Sequence, residues 1–424
     1  YYFQDNDRMP QYAMEAVLRR KMDALPGVDS YYGWKATRVT QDASGVRVEA
    51  EEDTGATATF TADYVVGCDG GGSLVREQVG IARGGTDFDQ LMVLATFKSK
   101  QLHEGLERFP QRSTYRVMHP DLKGYWQFFG RIDVGEGFFF HAPVPRAAAT
   151  KDFDFHALVQ RSAGFQFDWE VEHVGFWDLR VAVAEKYQVD RVFIAGDAAH
   201  THPPYGGFGL NNGLEDVTNL GWKLAARLKG WGGDELLRSY SEERRPIFRD
   251  TAEDFIARRI EADGAFFDRY NPAVDRAAFE QAWKARSNES APRAQTYEPN
   301  FEGSSVVVGP PGGVCSAHGE HMFKARAGHH LAPQPLSSGR NVFEELGMDY
   351  ALLAFDADPA SVEAIRAAAQ ARRVPMKVVA DTQAGGREAY EAKLVLVRPD
   401  QYVVWTGDAA PADVEAMLAR VAGQ

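Results

Sequence analysis

Arg191 to Ala225 reads RVFIAGDAAHTHPPYGGFGLNNGLEDVTNLGWKLA, and the fold turns on the order of its parts. Arg191 to Ala195 is a short apolar run of the kind that makes a fully buried strand. It stops at Gly196-Asp197, and open α/β sheets hold their ligands beyond the carboxyl ends of such strands. Pro203-Pro204 then stiffens the chain, and Gly206, Gly207 and Gly209 remove side chains so that backbone can lie flat against a planar ring. From Asn211 to Lys229 the residues Leu214, Val217, Leu220, Leu224 and Leu228 keep helical spacing, with Lys223, Arg227 and Lys229 in the final turns before Gly230. The free amides of Leu210, Asn211 and Asn212 then stand at a helix N-terminus, which carries about half a positive charge and suits an anionic ring edge. Asp197 is placed to accept a hydrogen bond from a ligand hydroxyl.

A second stretch answers the first. Tyr64 to Cys68 is another buried strand, and it ends in Asp69-Gly70-Gly71-Gly72-Ser73-Leu74-Val75-Arg76, a D-G-x-x-S-x-x-R pattern. The glycines allow a sharp turn and a close approach to a ligand, while Arg76 offers a guanidinium suited to phosphate oxygens. Taken alone, such a turn is accounted for by an Arg paired with a surface carboxylate. Taken with Arg191 to Ala225, it is the other side of one cofactor site.

With CDGGGSLVR and GDAAHTHPPYGGFGLNN in this order, the chain resembles the class A flavoprotein aromatic hydroxylases, the para-hydroxybenzoate hydroxylase-like group. It is most similar to the branch with a C-terminal thioredoxin-like domain, which acts on phenols, hydroxyphenylpropionates or aromatic polyketides. The resemblance implies an FAD-dependent monooxygenase that takes electrons transiently from NADPH or NADH and hydroxylates a phenolic or aromatic polyketide ring with O₂ through a flavin hydroperoxide. It implies that Pro204 and the backbone of Gly206 to Asn212, with Gly207, Gly209, Leu210, Asn211 and Asn212, face the isoalloxazine. Asp197, next to Gly196, and Gln11 would hold the ribityl chain, and Asp69, Gly70 and Arg76 would lie near the pyrophosphate. Gln11 enters through a Q-x-x-x-E-x-x-L run, Gln11, Glu15 and Leu18, similar to a helix in which the family's Gln reaches the flavin. Pro204 and His202 are the catalytic candidates; for His200 and His202 the competing reading is a structural role, since geometry must precede pKa.

Two departures qualify the resemblance. The family begins with a strand, a G-x-G-x-x-G turn and a helix for the pyrophosphate, and no such run occurs in the 424 residues. The expectation is that this unit precedes Tyr1, and the alternative reading is an N-terminally truncated or split chain that is not catalytic by itself. In the C-terminal unit the place for a C-x-x-C holds Ala357-Asp358-Pro359, so dithiol chemistry is excluded there. That leaves a packing role or a homodimer contact.

The implied fold class is α/β: an N-terminally incomplete, FAD-binding Rossmann-like domain with an inserted antiparallel-sheet substrate domain and a C-terminal thioredoxin-like domain. The expected boundaries are 1–82 and 186–300 for the two parts of the FAD-binding domain and its following helices, 83–185 for the substrate domain, and 301–424 for a linker and the thioredoxin-like unit. Met14, Val17, Leu18, Met22 and Leu25 predict an amphipathic helix lying on a core. Trp34 to Gly67 predicts a hairpin leading into a strand, and the span from Asn271 to Pro335 reads as polar loop. The aromatic residues Tyr125, Trp126, Phe128, Phe129, Phe138, Phe139 and Phe140 wall a pocket or fill a sheet core. The core reading is favoured because only one face of a strand points each way.

Composition agrees with a small-molecule enzyme. A formal net charge of -13 argues against nucleic-acid and anionic-membrane partners, which need clustered Lys and Arg. No apolar run approaches the ~18 residues of a membrane span. The two cysteines, Cys68 and Cys315, form neither a disulfide framework nor a metal spacing. An aromatic small-molecule substrate, no metal and a cytoplasmic location are the expectations.

Overall fold

The computed structural model describes residues 3–4, 9–149, 153–289 and 296–424. At its centre Val65–Gly67 lies parallel to Val192–Ile194, with Val65 opposite Val192 and Gly67 opposite Ile194. Val192, Phe193 and Ile194 are fully buried, as an unbroken apolar run in a parallel pair requires. Parallel strands send their carboxyl ends out on the same side, so the turns at Asp69 and Asp197 begin next to each other. Gln188–Val189 pairs antiparallel with Val192–Ile194. Trp34–Asp42, Gly45–Glu52 and Thr57–Ala62 form a three-stranded antiparallel meander; in its first turn Asp42 accepts the Ser44 amide at 2.7 Å.

Between the two parallel strands the chain builds most of a six-stranded antiparallel sheet, ordered His200–Thr201, Glu170–Ala184, Arg83–Lys98, Gly137–Val144, Gln127–Arg131 and Thr114–Val117. One face carries Val93, Phe97, Phe129, Phe138 and Phe140, packed on Leu102, Leu106, Leu158 and Val159 of two helices. The other face presents Phe128 and Phe139 to Trp126, Tyr205, Ile256 and Ile260. Strand parity therefore divides the aromatic runs between core and cleft.

Helix Phe208–Leu228 follows the glycine loop. Its inward residues are Asn212, Asp216, Asn219, Leu220, Lys223 and Ala226, whereas Leu214, Val217 and Leu228 are exposed. The apolar spacing predicts the helix correctly but not the face that goes inward, because the buried polar side chains all find charged or amide partners. Asp234–Asp250 packs against it and runs on through a π-helical turn, Thr251–Ala257, into Arg258–Arg269. Two expectations are corrected. Helix Gln11–Asp23 has no buried residue, with Val17 and Leu18 exposed, so it does not lie on a core. Helix Arg276–Glu289 forms within the span read as loop, because Phe279 and Trp283, one turn apart, pack on Phe266 and Phe267.

The C-terminal unit has the expected strand, helix, strand, hairpin, helix order. Tyr350–Phe355 pairs parallel with Met376–Asp381 across helix Pro359–Ala371 and antiparallel with Leu394–Val397, and Val403–Gly407 completes the sheet before helix Val414–Val421. Asp358, where a thiol motif would sit, caps the helix by accepting the Ser361 amide at 3.0 Å. Leu352, Leu396 and Leu418 share one apolar cluster with Leu236 and Ile247. Beneath it Glu243 accepts Lys223 Nζ at 2.7 Å, Asn219 Nδ2 at 2.7 Å, Ser304 Oγ at 2.6 Å and Arg398 Nη1 and Nη2 at 2.7 and 2.9 Å. Arg398 Nε also donates to Asp400 at 2.7 Å. Burial opposes ionisation of Glu243, but the Arg398 and Lys223 charges outweigh it and hold the carboxyl well below the usual range. Burial pushes Lys223 down to about 8.

Removing one partner from a buried ion cluster leaves an uncompensated charge and costs about 3–5 kcal/mol. Arg398→Met is therefore expected to lower the urea midpoint and the melting temperature sharply. Arg366→Ala, which breaks an exposed pair with Glu363, leaves both where they are.

Candidate cofactor and substrate site

The turn after Val192–Ile194 is built on a glycine in the left-handed region. Gly196 has φ +60°, and a Cβ added to Gly213 would stand 3.5 Å from the Gly196 Cα. The turn is locked by Asp216, whose Oδ2 accepts the Gly196 amide at 3.0 Å and His200 Nε2 at 2.6 Å while Oδ1 accepts Arg244 Nε at 2.8 Å. Arg244 Nη2 also donates to the carbonyl and the side-chain oxygen of Asn212, both at 3.2 Å. Burial works against the Asp216 charge, yet His200 and Arg244 hold this carboxyl below its ordinary range. Asp197 is left exposed at the tip of the turn.

Across from it, Asp69 accepts Ser73 Oγ at 2.5 Å and the Val75 amide at 3.0 Å. Ser73 Oγ in turn accepts the Arg76 amide at 3.0 Å, which caps helix Leu74–Gln78. Gly70 sits at φ +79°. Arg76, expected to face phosphate, is instead 5 % exposed and donates through Nη1 to the carbonyls of Gly71 at 3.2 Å and Ala198 at 3.0 Å. It ties the two turns together from beneath, because a buried guanidinium must spend its donors on nearby oxygens. The guanidinium at the rim is Arg83, which donates to Gly71 O at 3.0 Å; burial lowers its pKa, and nearby Asp197 offsets part of that effect. Arg83 escaped the sequence reading because only the register of its strand brings it to the turn.

In the glycine loop, Gly206 and Gly207 take φ +85° and +74° in succession. A Cβ at Gly206 would fall 2.5 Å from the Phe208 ring, so the loop excludes other residues on both grounds. The helix starts at Phe208 rather than Asn211, and no side chain caps it. A 3-10 turn, Tyr205–Gly207, runs directly into the helix, so the amides left without a helical acceptor are those of Gly209 and Leu210, not Asn211 and Asn212. The side chains of Asn211 and Asn212 turn back to donate to the carbonyls of Gly207 at 2.7 Å and Phe208 at 3.1 Å. Pro204 precedes the loop at φ -71°, and Gly209 packs on His202, its added Cβ 3.7 Å from that ring. His202 Nδ1 donates to the Pro203 carbonyl at 2.5 Å, its Nε2 is buried with no partner among the described residues, and its ring stacks on Phe248 at 5.2 Å. Burial pushes its pKa down to about 4. Tyr205 stacks on Trp126 at 4.2 Å and accepts its amide at 3.2 Å, joining loop to inserted sheet. Gln11 is not drawn into this assembly: it donates to Glu15 on its own exposed helix at 2.8 Å.

Residues 4–254 match the FAD binding domain family, and residues 324–424 match the aromatic-ring hydroxylase C-terminal family. The chain belongs to the FAD-binding aromatic-ring hydroxylases. It is 30 % identical to the 4-methyl-5-nitrocatechol 5-monooxygenase of a Burkholderia species, over 96 % of this chain and 76 % of that one. It is 29 % identical to the FAD-dependent monooxygenase opdD of Penicillium oxalicum, over 97 % and 84 %. Among solved structures it resembles the flavin-dependent monooxygenase PieE in complex with FAD and substrate (TM-score 0.81, 25 % identity, 98 % of this chain and 80 % of that one). RebC with bound 7-carboxy-K252c is similar at TM-score 0.77 and 30 % identity, over 92 % and 74 %.

This hydroxylase is an FAD-dependent monooxygenase, and its residues fit the flavin end of FAD. Two successive left-handed glycines shape the loop, an uncapped helix N-terminus follows it, and Asp197 stands exposed on the neighbouring turn. No helix among the described residues is long and apolar enough to cross a membrane.

His202 supplies a pH test. Its pKa is 6.5 in its ordinary state and about 4 in the fold, so between those values the unfolded chain binds more protons. Stability from neutral His202 is full above about pH 6.5 and is lost as pH falls to about 4. His202→Gln is expected to flatten the acid destabilisation in this window by up to about 3 kcal/mol, read from urea midpoints measured near pH 7 and near pH 4.5.

Proposed function

We propose that this hydroxylase inserts one oxygen atom from O₂ into a phenolic or aromatic polyketide ring, with NADPH or NADH as the transient donor. The observation that carries the reading is the uncapped helix N-terminus behind Gly206-Gly207, set beside the aromatic face of the inserted sheet. The names of the relatives support an aromatic substrate, a nitrocatechol in one of them. When bound, FAD supplies the redox chemistry, taking a hydride from the nicotinamide and activating O₂.

The chain's own contribution is placement and electrostatics. The amides of Gly209 and Leu210 and the helix dipole stabilise negative charge on the pyrimidine side of the flavin. Pro204 shapes the approach to the ring, and Gly209 lets His202 pack beneath it. Asp197 accepts a ribityl hydroxyl, while Asp69 and Gly70 shape the turn on which Arg83 meets phosphate oxygens. Phe128 and Phe139 line the substrate side and exclude water, while Trp126, stacked on Tyr205, ties the sheet to the loop. Neutral His202 keeps positive charge away from the loop and offers Nε2 as a proton acceptor near the ring.

On this reading residues 1–82 and 186–300 hold the cofactor, 83–185 the substrate, and 301–424 form a thioredoxin-like packing unit. A homodimer contact through this C-terminal unit is testable by light scattering. The free thiols of Cys68 and Cys315 suit a reducing cytoplasm.

The test is to load the chain with FAD, record the flavin band, and follow NADPH and NADH oxidation with nitrocatechols under ¹⁸O₂. The expected result is a bound flavin and one labelled oxygen in the product. A chain that oxidises NADPH without any labelled product, or that never takes up flavin, overturns the reading. Gly206→Val is expected to weaken FAD binding at least about tenfold while leaving the far-ultraviolet circular dichroism unchanged.

A further inference from the structure

The inserted sheet holds a half-buried titratable group that the proposed chemistry leaves unused. On strand Gly137–Val144, Phe138, Phe140, Ala142 and Val144 enter the sheet core. His141 lies on the opposite face with Phe139, whose ring is 5.7 Å away. Phe128 is its direct partner in the pairing register, with rings stacked at 4.8 Å and 23°. Trp177, from the neighbouring long strand, closes the box at 6.2 Å. Phe128 and Phe139 also pack in one cluster with Tyr205 of the glycine loop, so the box borders the loop.

Inside this apolar box His141 Nδ1 is buried and has no hydrogen-bond partner among the described residues. A buried polar atom without a partner costs free energy that Leu or Phe at the same position would avoid. Burial alone pushes the ring down to about 4, with no charged group contributing. The imidazole is therefore neutral at ordinary pH, with a lone pair to offer. His202 differs, because its Nδ1 is held by Pro203 and it lies beneath the loop rather than on the wall across from it.

We propose that His141 is a substrate-binding residue: its Nδ1 accepts the hydrogen bond of the phenolic hydroxyl, anchoring that end of the ring to the inserted sheet. The proposal rests on the hydroxylase reading and deepens it. The substrate is a free phenol rather than an ether or a bare arene. Accepting that proton's hydrogen bond also raises electron density on the phenolic oxygen, and through it on the ortho and para carbons that receive oxygen. The aromatic walls supply stacking without preference for the hydroxyl, so discrimination between a phenol and its methyl ether falls to this one atom.

The experiment is equilibrium binding to the FAD-loaded chain without nicotinamide, read by quenching of tryptophan fluorescence, with 4-nitrophenol and 4-nitroanisole as paired probes. The wild type is expected to bind the phenol about tenfold more tightly than the ether. His141→Phe should abolish that difference by weakening phenol binding about tenfold, leaving ether binding unchanged. Its melting temperature should be equal or higher, since no hydrogen bond within the protein is lost, and His141→Gln, which keeps an acceptor, should recover part of the discrimination. Unchanged discrimination in His141→Phe, or an equal loss for both probes, overturns the role of His141 and leaves the hydroxylase reading standing. A wild type that binds neither probe and hydroxylates no phenol overturns both.

Discussion

One buried carboxylate, Asp216, sets the geometry on which the site depends. Its two oxygens collect the amide of Gly196, the ring of His200 and the guanidinium of Arg244. Those groups come from the turn after a central strand, from the short strand paired with Ala182 and Val183 of the inserted sheet, and from the second long helix. Arg244 extends the reach to Asn212. Four segments are therefore referred to one point. In a low-dielectric interior none of these groups can lose its partner cheaply, so the distance between the Asp197 turn and the helix N-terminus is held.

The same helix pair carries a second buried cluster toward its far end, where Lys223, Glu243 and Arg398 meet. The interface between Phe208–Leu228 and Asp234–Asp250 is thus polar at both levels, and the C-terminal unit is tied into it through Arg398. This explains why Leu214 and Val217 stay outside while Asn219 and Lys223 go in. Geometry, more than hydrophobic area, is what such a network contributes.

The inserted sheet works by alternation. One set of its aromatic side chains seals the sheet against two helices, and the other set reaches Tyr205 and the π-helical turn that supplies Ile256. His141 belongs to the second set. Its unpartnered Nδ1 sits among the rings of Phe128, Phe139 and Trp177.

Much of this could be read in the chain itself. The two apolar runs ending in Cys68-Asp69-Gly70 and Gly196-Asp197, the paired prolines and glycines, and the C-terminal strand and helix order are local signals, since turn chemistry and periodicity act within a few residues. They sufficed for the fold class and the family. Contacts between distant segments were not legible. Arg76 turned inward because a carbonyl 122 positions away lay beneath it. Strand register brought Arg83 to the Gly71 turn and His141 to the sheet face of Phe128 and Phe139, and the helix buried its polar face because Asp216 and Glu243 found cations on another helix. Sequence determined which segments form strands, turns and helices; tertiary structure decided which side chains were desolvated together, and desolvation sets the charge, direction and availability of each group.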